Sequence, residues 1–188
     1  MLLDEKIVAI GRALDAASLP HAFGGANALA YYGTPRATAD IDLNAFVGAS
    51  RAREVLTVLS TLGVQTHDPG VIDTIARDGQ VRVRWDATPV DLFFSYDPLH
   101  DSSMARRRRV DFGGDRIYVL APEDLMVYKA IFNRAKDWSD IAEIIYAANT
   151  PLDYAYVLRW IDRICDPSDE QPHRIRRLID SRGRDLGL

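Results

Sequence analysis

Gly24-Gly25-Ala-Asn-Ala-Leu-Ala-Tyr-Tyr-Gly-Thr-Pro-Arg36-Ala-Thr38-Ala-Asp40-Ile41-Asp42 is the stretch that decides the reading of this chain. It ends in two carboxylates spaced i, i+2 around a β-branched residue, a strand pattern. Side chains at i and i+2 of a strand share a face, so Asp40 and Asp42 are expected side by side while Ile41 enters the core. Adjacent carboxylates repel unless a cation joins them. Hard oxygen ligands of this kind suit Mg2+, which is held by a few carboxylates and completed by substrate phosphates. Upstream, the Gly24-Gly25 pair lets backbone N–H groups approach a phosphate closely. Arg36 adds a planar, permanently charged donor suited to phosphate oxygens. Alone, Asp-x-Asp is commonly a solvated pair and Gly-Gly a turn; in this order, with arginine between, they are the parts of a site for a metal-bound nucleotide.

Working outward, Asp91 interrupts the apolar strand pattern Val90-Asp91-Leu92-Phe93-Phe94. A carboxylate there needs a metal or a partner such as an arginine. Asp73 and Asp86 are weaker acidic candidates because both fall near loops. Lys136 and Asp140 stand at i, i+4 on a helix and share a face; a surface ion pair is the plain alternative. Lys129 and Arg134 lie one helix earlier. Trp138 and Tyr146 read as core, and the four histidines have no ligand spacing.

The 188 residues suit one domain or two small lobes, and 47% hydrophobic with 27% charged residues is ordinary globular composition. A single cysteine, Cys165, excludes an internal disulfide and a cysteine-based zinc site. No apolar run reaches membrane-span length, and Asp4 and Glu5 stand where a signal peptide has bases; a cytoplasmic protein is expected. The net charge of −4 argues mildly against nucleic acid, but positive charge is clustered. Arg106-Arg107-Arg108-Arg109 is an unbroken run, and Arg174, Arg176, Arg177, Arg182 and Arg184 crowd the C-terminus. All being arginine, they suit phosphate, and the run is a candidate RNA contact; a solvated edge strand and terminal helix are the plain alternative.

Periodicity predicts a helix over 4–17, a short strand over 21–24, a short helix over 26–32 and the aspartate-bearing strand over 39–47. Ser50 is the expected N-cap of the next helix. Strands are predicted over 80–85 and 89–96, then a hairpin turning at Gly113-Gly114. From Pro122 the pattern is helical, in four segments. The predicted class is α+β: a mixed-sheet core over 1–120 and a helical lobe over 121–188, with ligand in a cleft.

The run Gly-Gly … Gly-x-Pro-Arg-x-Thr-x-Asp-Ile-Asp resembles the polymerase-β-type nucleotidyltransferase superfamily, and within it most resembles the AbiEii/MenT-type toxins of bacterial toxin–antitoxin systems. Lys136-Asp137-Trp138-Ser139-Asp140-Ile141 is similar to that group's Lys-Asp-x-x-Asp motif. The likeness spans about 20 to 145; Gly25 replaces the serine usual in the wider superfamily, leaving backbone groups or Thr38 to contact phosphate. The resemblance implies Asp40, Asp42 and Asp91 as catalytic residues and Mg2+ ligands, with Asp91 drawing the acceptor's proton. It implies Gly24, Gly25, Arg36, Thr38, Lys136 and Asp140 as nucleotide-binding, Asp140 orienting Lys136. The donor would be an NTP, CTP or UTP favoured. The acceptor would be the 3′ end of tRNA, whose extension blocks aminoacylation and translation. A cognate antitoxin would be a partner, and Thr38 is the hydroxyl to suspect if silencing is by phosphorylation. The alternatives are transfer to an aminoglycoside-like small molecule, transfer to a protein hydroxyl, or an inactive nucleotide-binding module.

Overall fold

The computed structural model describes residues 1–182, so Arg184 of the C-terminal arginine cluster lies outside the described residues. The chain divides into two compact units. One holds Met1–Asn27 and Ala37–Leu120, the other Ala28–Arg36 and Ala121–Leu188. The chain therefore leaves the first unit just after the paired glycines and returns just before the paired aspartates.

The first unit is built on a mixed sheet of strands β1 (His21–Phe23), β2 (Ile41–Gly48), β3 (Gln80–Trp85), β4 (Thr88–Ser95), β5 (Arg108–Phe112) and β6 (Asp115–Val119). Their order is β3-β4-β2-β1-β6-β5. β2 runs parallel to β4 and β1 parallel to β6; the other pairs are antiparallel. β2 is interior to the sheet, and Leu43 through Val47 are buried on both faces. That double burial explains why it reads as a nearly continuous apolar run. Asp42 is the half-buried exception within it.

Helix α1 (Leu3–Ala16) buries Ile7, Ile10 and Leu14, one stripe at helical spacing. Lys6 is buried with them, its Nζ donating to the carbonyl of Trp85 at 2.8 Å and pairing with Asp86 at 3.2 Å. α2 (Gly25–Leu29) follows β1 directly. α3 (Ala52–Thr61) follows a single 3-10 turn over Ala49–Arg51, so Ser50 lies inside that turn rather than capping the helix. α4 is Val71–Asp78. α5 (Pro98–Arg106) was not expected from periodicity, because its apolar stripe is weak. Its start is nevertheless written in the sequence: Asp97 accepts the amide of Leu99 at 2.8 Å and Pro98 occupies the first turn.

The second unit packs α6 (Pro122–Phe132), α7 (Ala135–Ala147), α8 (Tyr154–Ile164) and α9 (Glu170–Asp180) around Met126, Ile141, Ile144, Val157, Ile161 and Ile175. Asn133, left-handed at φ 54°, makes the tight turn between α6 and α7, and its side-chain oxygen accepts from the indole of Trp138 at 2.7 Å. Segment 33–36 is tied down beside α7. The amide and hydroxyl of Thr34 both donate to Glu143, at 3.0 and 2.6 Å. Gly33 is needed there, since a Cβ would stand 2.6 Å from Cγ of Glu143.

Candidate active site

Three neighbouring strands bring charge to one face of the sheet. Asp42 on β2 is in register with Asp91 on β4, and Asp91 with Arg82 on β3. Side chains in register on paired strands share a face, so Arg82, Asp91 and Asp42 form one row. Arg82 grips Asp91 with two parallel bonds, Nε to Oδ1 and Nη2 to Oδ2, both 2.6 Å. This is the fork geometry in which guanidinium and carboxylate match. The arginine's pKa is raised, chiefly by this bond to Asp91 and further by the charges of Asp91, Asp40 and Asp42.

The sheet's construction explains why this row exists. Asp86 takes the left-handed conformation at φ 52° and turns β3 into β4 within two residues, so Trp85 meets Thr88 and Arg82 falls opposite Asp91. Sequence reading singled out Asp91 and allowed for an arginine partner but did not name Arg82. The two-residue turn was the signal that could have found it.

Gly25 explains the paired glycines. Its φ is +53°, and a Cβ there would lie 1.7 Å from Oδ2 of Asp42, so the backbone at the start of α2 lies directly against that carboxylate. The Gly24 amide is already spent, donating to the carbonyl of Asp42 at 2.9 Å. This bond ties the glycine turn to the aspartate strand. Asp40 lies one residue ahead of β2, not within it. The Thr38 hydroxyl donates to its Oδ1, a local bond that shapes the chain just before the strand. Asp40 thus stands just before the strand with Thr38 bonded to it, and Asp42 stands on the strand in register with Asp91.

No group of three carboxylate, histidine or cysteine side chains stands at metal-holding spacing among the described residues. What Asp42 and Asp91 offer is a pair of hard oxygen donors on adjacent strands. That donor set fits Mg2+ in its usual mode, with one or two carboxylates and the rest from phosphate and water.

The second unit holds the remaining expected residues. Asp140 is buried and accepts from Lys129 Nζ at 2.6 Å and from Arg36 Nη2 at 3.1 Å. Asp137 is also buried; Arg134 Nε donates to it at 2.6 Å and Lys129 lies 3.6 Å from it. The expected pairing of Asp140 with Lys136 is not the one formed. Lys136 is exposed, and Asp140 instead aligns Lys129 and Arg36. The turn at Asn133 is the reason: it folds the last stretch of α6 back on α7, so Lys129 meets the inward side of α7 and Lys136 faces out.

The arginine run divides in the same way. Arg107 donates to the carbonyl of Met104 at the end of α5 and lies 4.6 Å over the ring of Tyr118, with its Nε buried, so it is half-buried against the fold rather than displayed. Arg108 and Arg109 are exposed on β5, at the sheet edge. Arg106 ends α5 and is half-buried.

No family model matches the chain, and no curated protein matches it. Solved structures do. An antigenic nucleotidyltransferase-like protein from Paracoccidioides brasiliensis is 17% identical over 96% of this chain and 88% of its own, with a TM-score of 0.57. The antibiotic-resistance factor ANT(2'')-Ia is similar in its solution structure, 15% identical over 95% of this chain and 89% of its own, TM-score 0.51. Its crystal structure in complex with adenylyl-2''-tobramycin is 14% identical over 95% of each chain, TM-score 0.50. At such identities the likeness is one of fold, and the chain has the mixed α/β fold shared by these nucleotidyltransferase structures.

Proposed function

We propose that the chain is a Mg2+-dependent nucleotidyltransferase that moves NMP from an NTP to a hydroxyl of the tRNA 3′ end, the hydroxyl oxygen bonding the α-phosphorus as pyrophosphate leaves, as the toxin of a toxin–antitoxin pair. The observation that carries the transfer reaction is the seating of the Asp42 carboxylate on the bare backbone of Gly25, in register with Asp91. A metal ion, when bound, would supply charge neutralisation of the phosphates and acidity at the attacking hydroxyl. Asp42 and Asp91 would hold it, with Asp40 close by, and Asp91 would receive the acceptor's proton. Gly24 and Gly25 let the strand-to-helix turn close against Asn44, Leu120 and the Asp42 carboxylate, and would so bring that backbone to the phosphates of a nucleotide held at Asp42. Within the second unit, Arg36, aimed by Asp140, and exposed Lys136 are the cations whose chemistry suits phosphate oxygens. Thr38, bonded to Asp40, is where an added phosphate would place like charge beside the carboxylates.

For the acceptor, the supporting observation is the edge strand carrying Arg108 and Arg109, suited to an RNA backbone. A second reading is transfer to a cationic aminoglycoside-like molecule; the shared fold with ANT(2'')-Ia and the net charge of −4 favour it. The two separate in one experiment. The chain is incubated with each labelled NTP and either total RNA or tobramycin. Label in tRNA, chiefly from CTP or UTP, supports the toxin reading; label in tobramycin alone replaces it with the second. If RNA is the acceptor, Arg108→Ala with Arg109→Ala flattens the salt dependence of RNA binding by about one unit of log–log slope per lost contact, and an unchanged slope returns both arginines to a solvated edge.

A further inference from the structure

We propose that Arg82 is a positioning residue that exchanges partners: it holds Asp91 in the free chain and passes to a phosphate oxygen of the substrate when a divalent cation takes Asp91. The inference rests on the metal reading of Asp42 and Asp91 given above. Both oxygens of Asp91 accept from Arg82, so a cation that uses Asp91 shares those oxygens with the guanidinium and sets a like charge against it. The two partners are unequally anchored. Asp91 sits on β4, covered by β2 and β3, and its side chain is 18% exposed. Arg82 sits on the edge strand β3, and its side chain is 58% exposed. The arginine can swing outward on its long stem without repacking anything, whereas the aspartate stays where β2 and β4 place it.

The neighbours set the direction of the exchange. Arg82 meets Asp91, which stands in register with Asp42 on the next strand, so one guanidinium faces a row of two carboxylates. A divalent cation on Asp42 and Asp91 removes that attraction. A planar fork is then left beside a metal-bound polyphosphate, the ligand it matches best after a carboxylate. The arginine side chain is 58% exposed, so water can solvate the guanidinium as it leaves and a divalent cation can compete with it for Asp91. The arrangement therefore balances one of two adjacent carboxylates in the free chain without closing the pair to metal. A lysine could balance that charge too, but it lacks the fork that meets both oxygens of Asp91 and then two oxygens of phosphate.

The test uses the full chain and two probes, Mn2+ alone and inorganic triphosphate with Mn2+. Free Mn2+ is counted by electron paramagnetic resonance, and triphosphate binding is measured by calorimetry. Arg82→Ala is expected to bind Mn2+ alone about fivefold more tightly, the loss of one exposed competitor, and to bind triphosphate at least about tenfold more weakly. Arg82→Lys is expected between the natural chain and Arg82→Ala for triphosphate. Arg82→Gln carries the same expectations as Arg82→Ala if the latter does not fold. The two affinities moving in the same direction, or neither moving, overturns the exchange. The metal reading fails separately: Mn2+ affinity that Asp42→Asn leaves unchanged in the natural chain overturns it whatever Arg82 does.

Discussion

Among single residues, one close approach shapes the site. Asp42 Oδ2 occupies the space where any side chain at position 25 would begin. Gly25→Ala must therefore displace the carboxylate and also hold φ near +53°, which an L side chain rarely adopts. We expect it to cost about 1–3 kcal/mol of stability by denaturant titration and to abolish transfer even in the folded fraction. A stable, active Gly25→Ala would mean that the carboxylate does not rest on that backbone. The sequence made Gly24, Gly25 and Asp42 conspicuous because glycine pairs and strand carboxylates are unusual in apolar surroundings. It could not show that Asp40 bonds locally to Thr38, because a hydroxyl two residues away competes with strand geometry in ways that spacing alone does not reveal.

At the scale of elements, the turn between α6 and α7 decides which cations are structural and which face solvent. Lys129 stands between two buried carboxylates, Asp137 and Asp140. Lys129→Met would leave that negative charge buried with only Arg134 and Arg36 in compensation. We expect a loss of about 3 kcal/mol in unfolding free energy. Lys136→Ala, on the exposed side of the same helix pair, should stay within about 0.5 kcal/mol of the natural chain while weakening nucleotide binding. Similar losses for both would place Lys136 inside the cluster after all. Here the sequence was half legible. The i, i+4 spacing of Lys136 and Asp140 was read correctly as helical, but both belong to α7, and α6 was close enough to supply a better partner. Strands, the hairpin at Gly113-Gly114 and the helical C-terminal half followed from period and turn residues. Helix α5 did not, because its caps and not its apolar face define it. Arg82 was invisible for a related reason: its role comes from strand register, fixed by the turn at Asp86, not from any local motif.

For the whole chain, two buried histidines link stability to acidity. Burial lowers the pKa of His21, whose Nδ1 meets the carbonyl of Leu19 and whose ring packs among Phe23 and Tyr118. The Leu19 carbonyl and Asp15 oppose that shift, while Arg107 adds to it. Burial likewise lowers the pKa of His100. Both are held neutral in the folded chain, so the unfolded chain takes up protons first as pH falls through 6.5. The stability they contribute is fully present above that value and is lost as pH drops through their lowered folded values. Unfolding free energy should therefore decline between about pH 7 and pH 5, before most carboxylates titrate. His21→Gln should flatten the decline over that range. A profile flat from pH 7 to pH 5 would contradict the burial of both imidazoles as neutral groups.

The central claim, transfer of a nucleotide by carboxylates on one face of the sheet, has a direct measurement. The natural chain and Asp42→Asn are each incubated with Mg2+, total RNA and the four labelled NTPs in turn, after circular dichroism has shown that both fold alike. Label is expected to enter RNA of tRNA size from one or two of the NTPs with the natural chain, with a loss of several orders of magnitude, about 10³-fold or more, in Asp42→Asn. A folded Asp42→Asn that labels RNA as fast as the natural chain would contradict that claim.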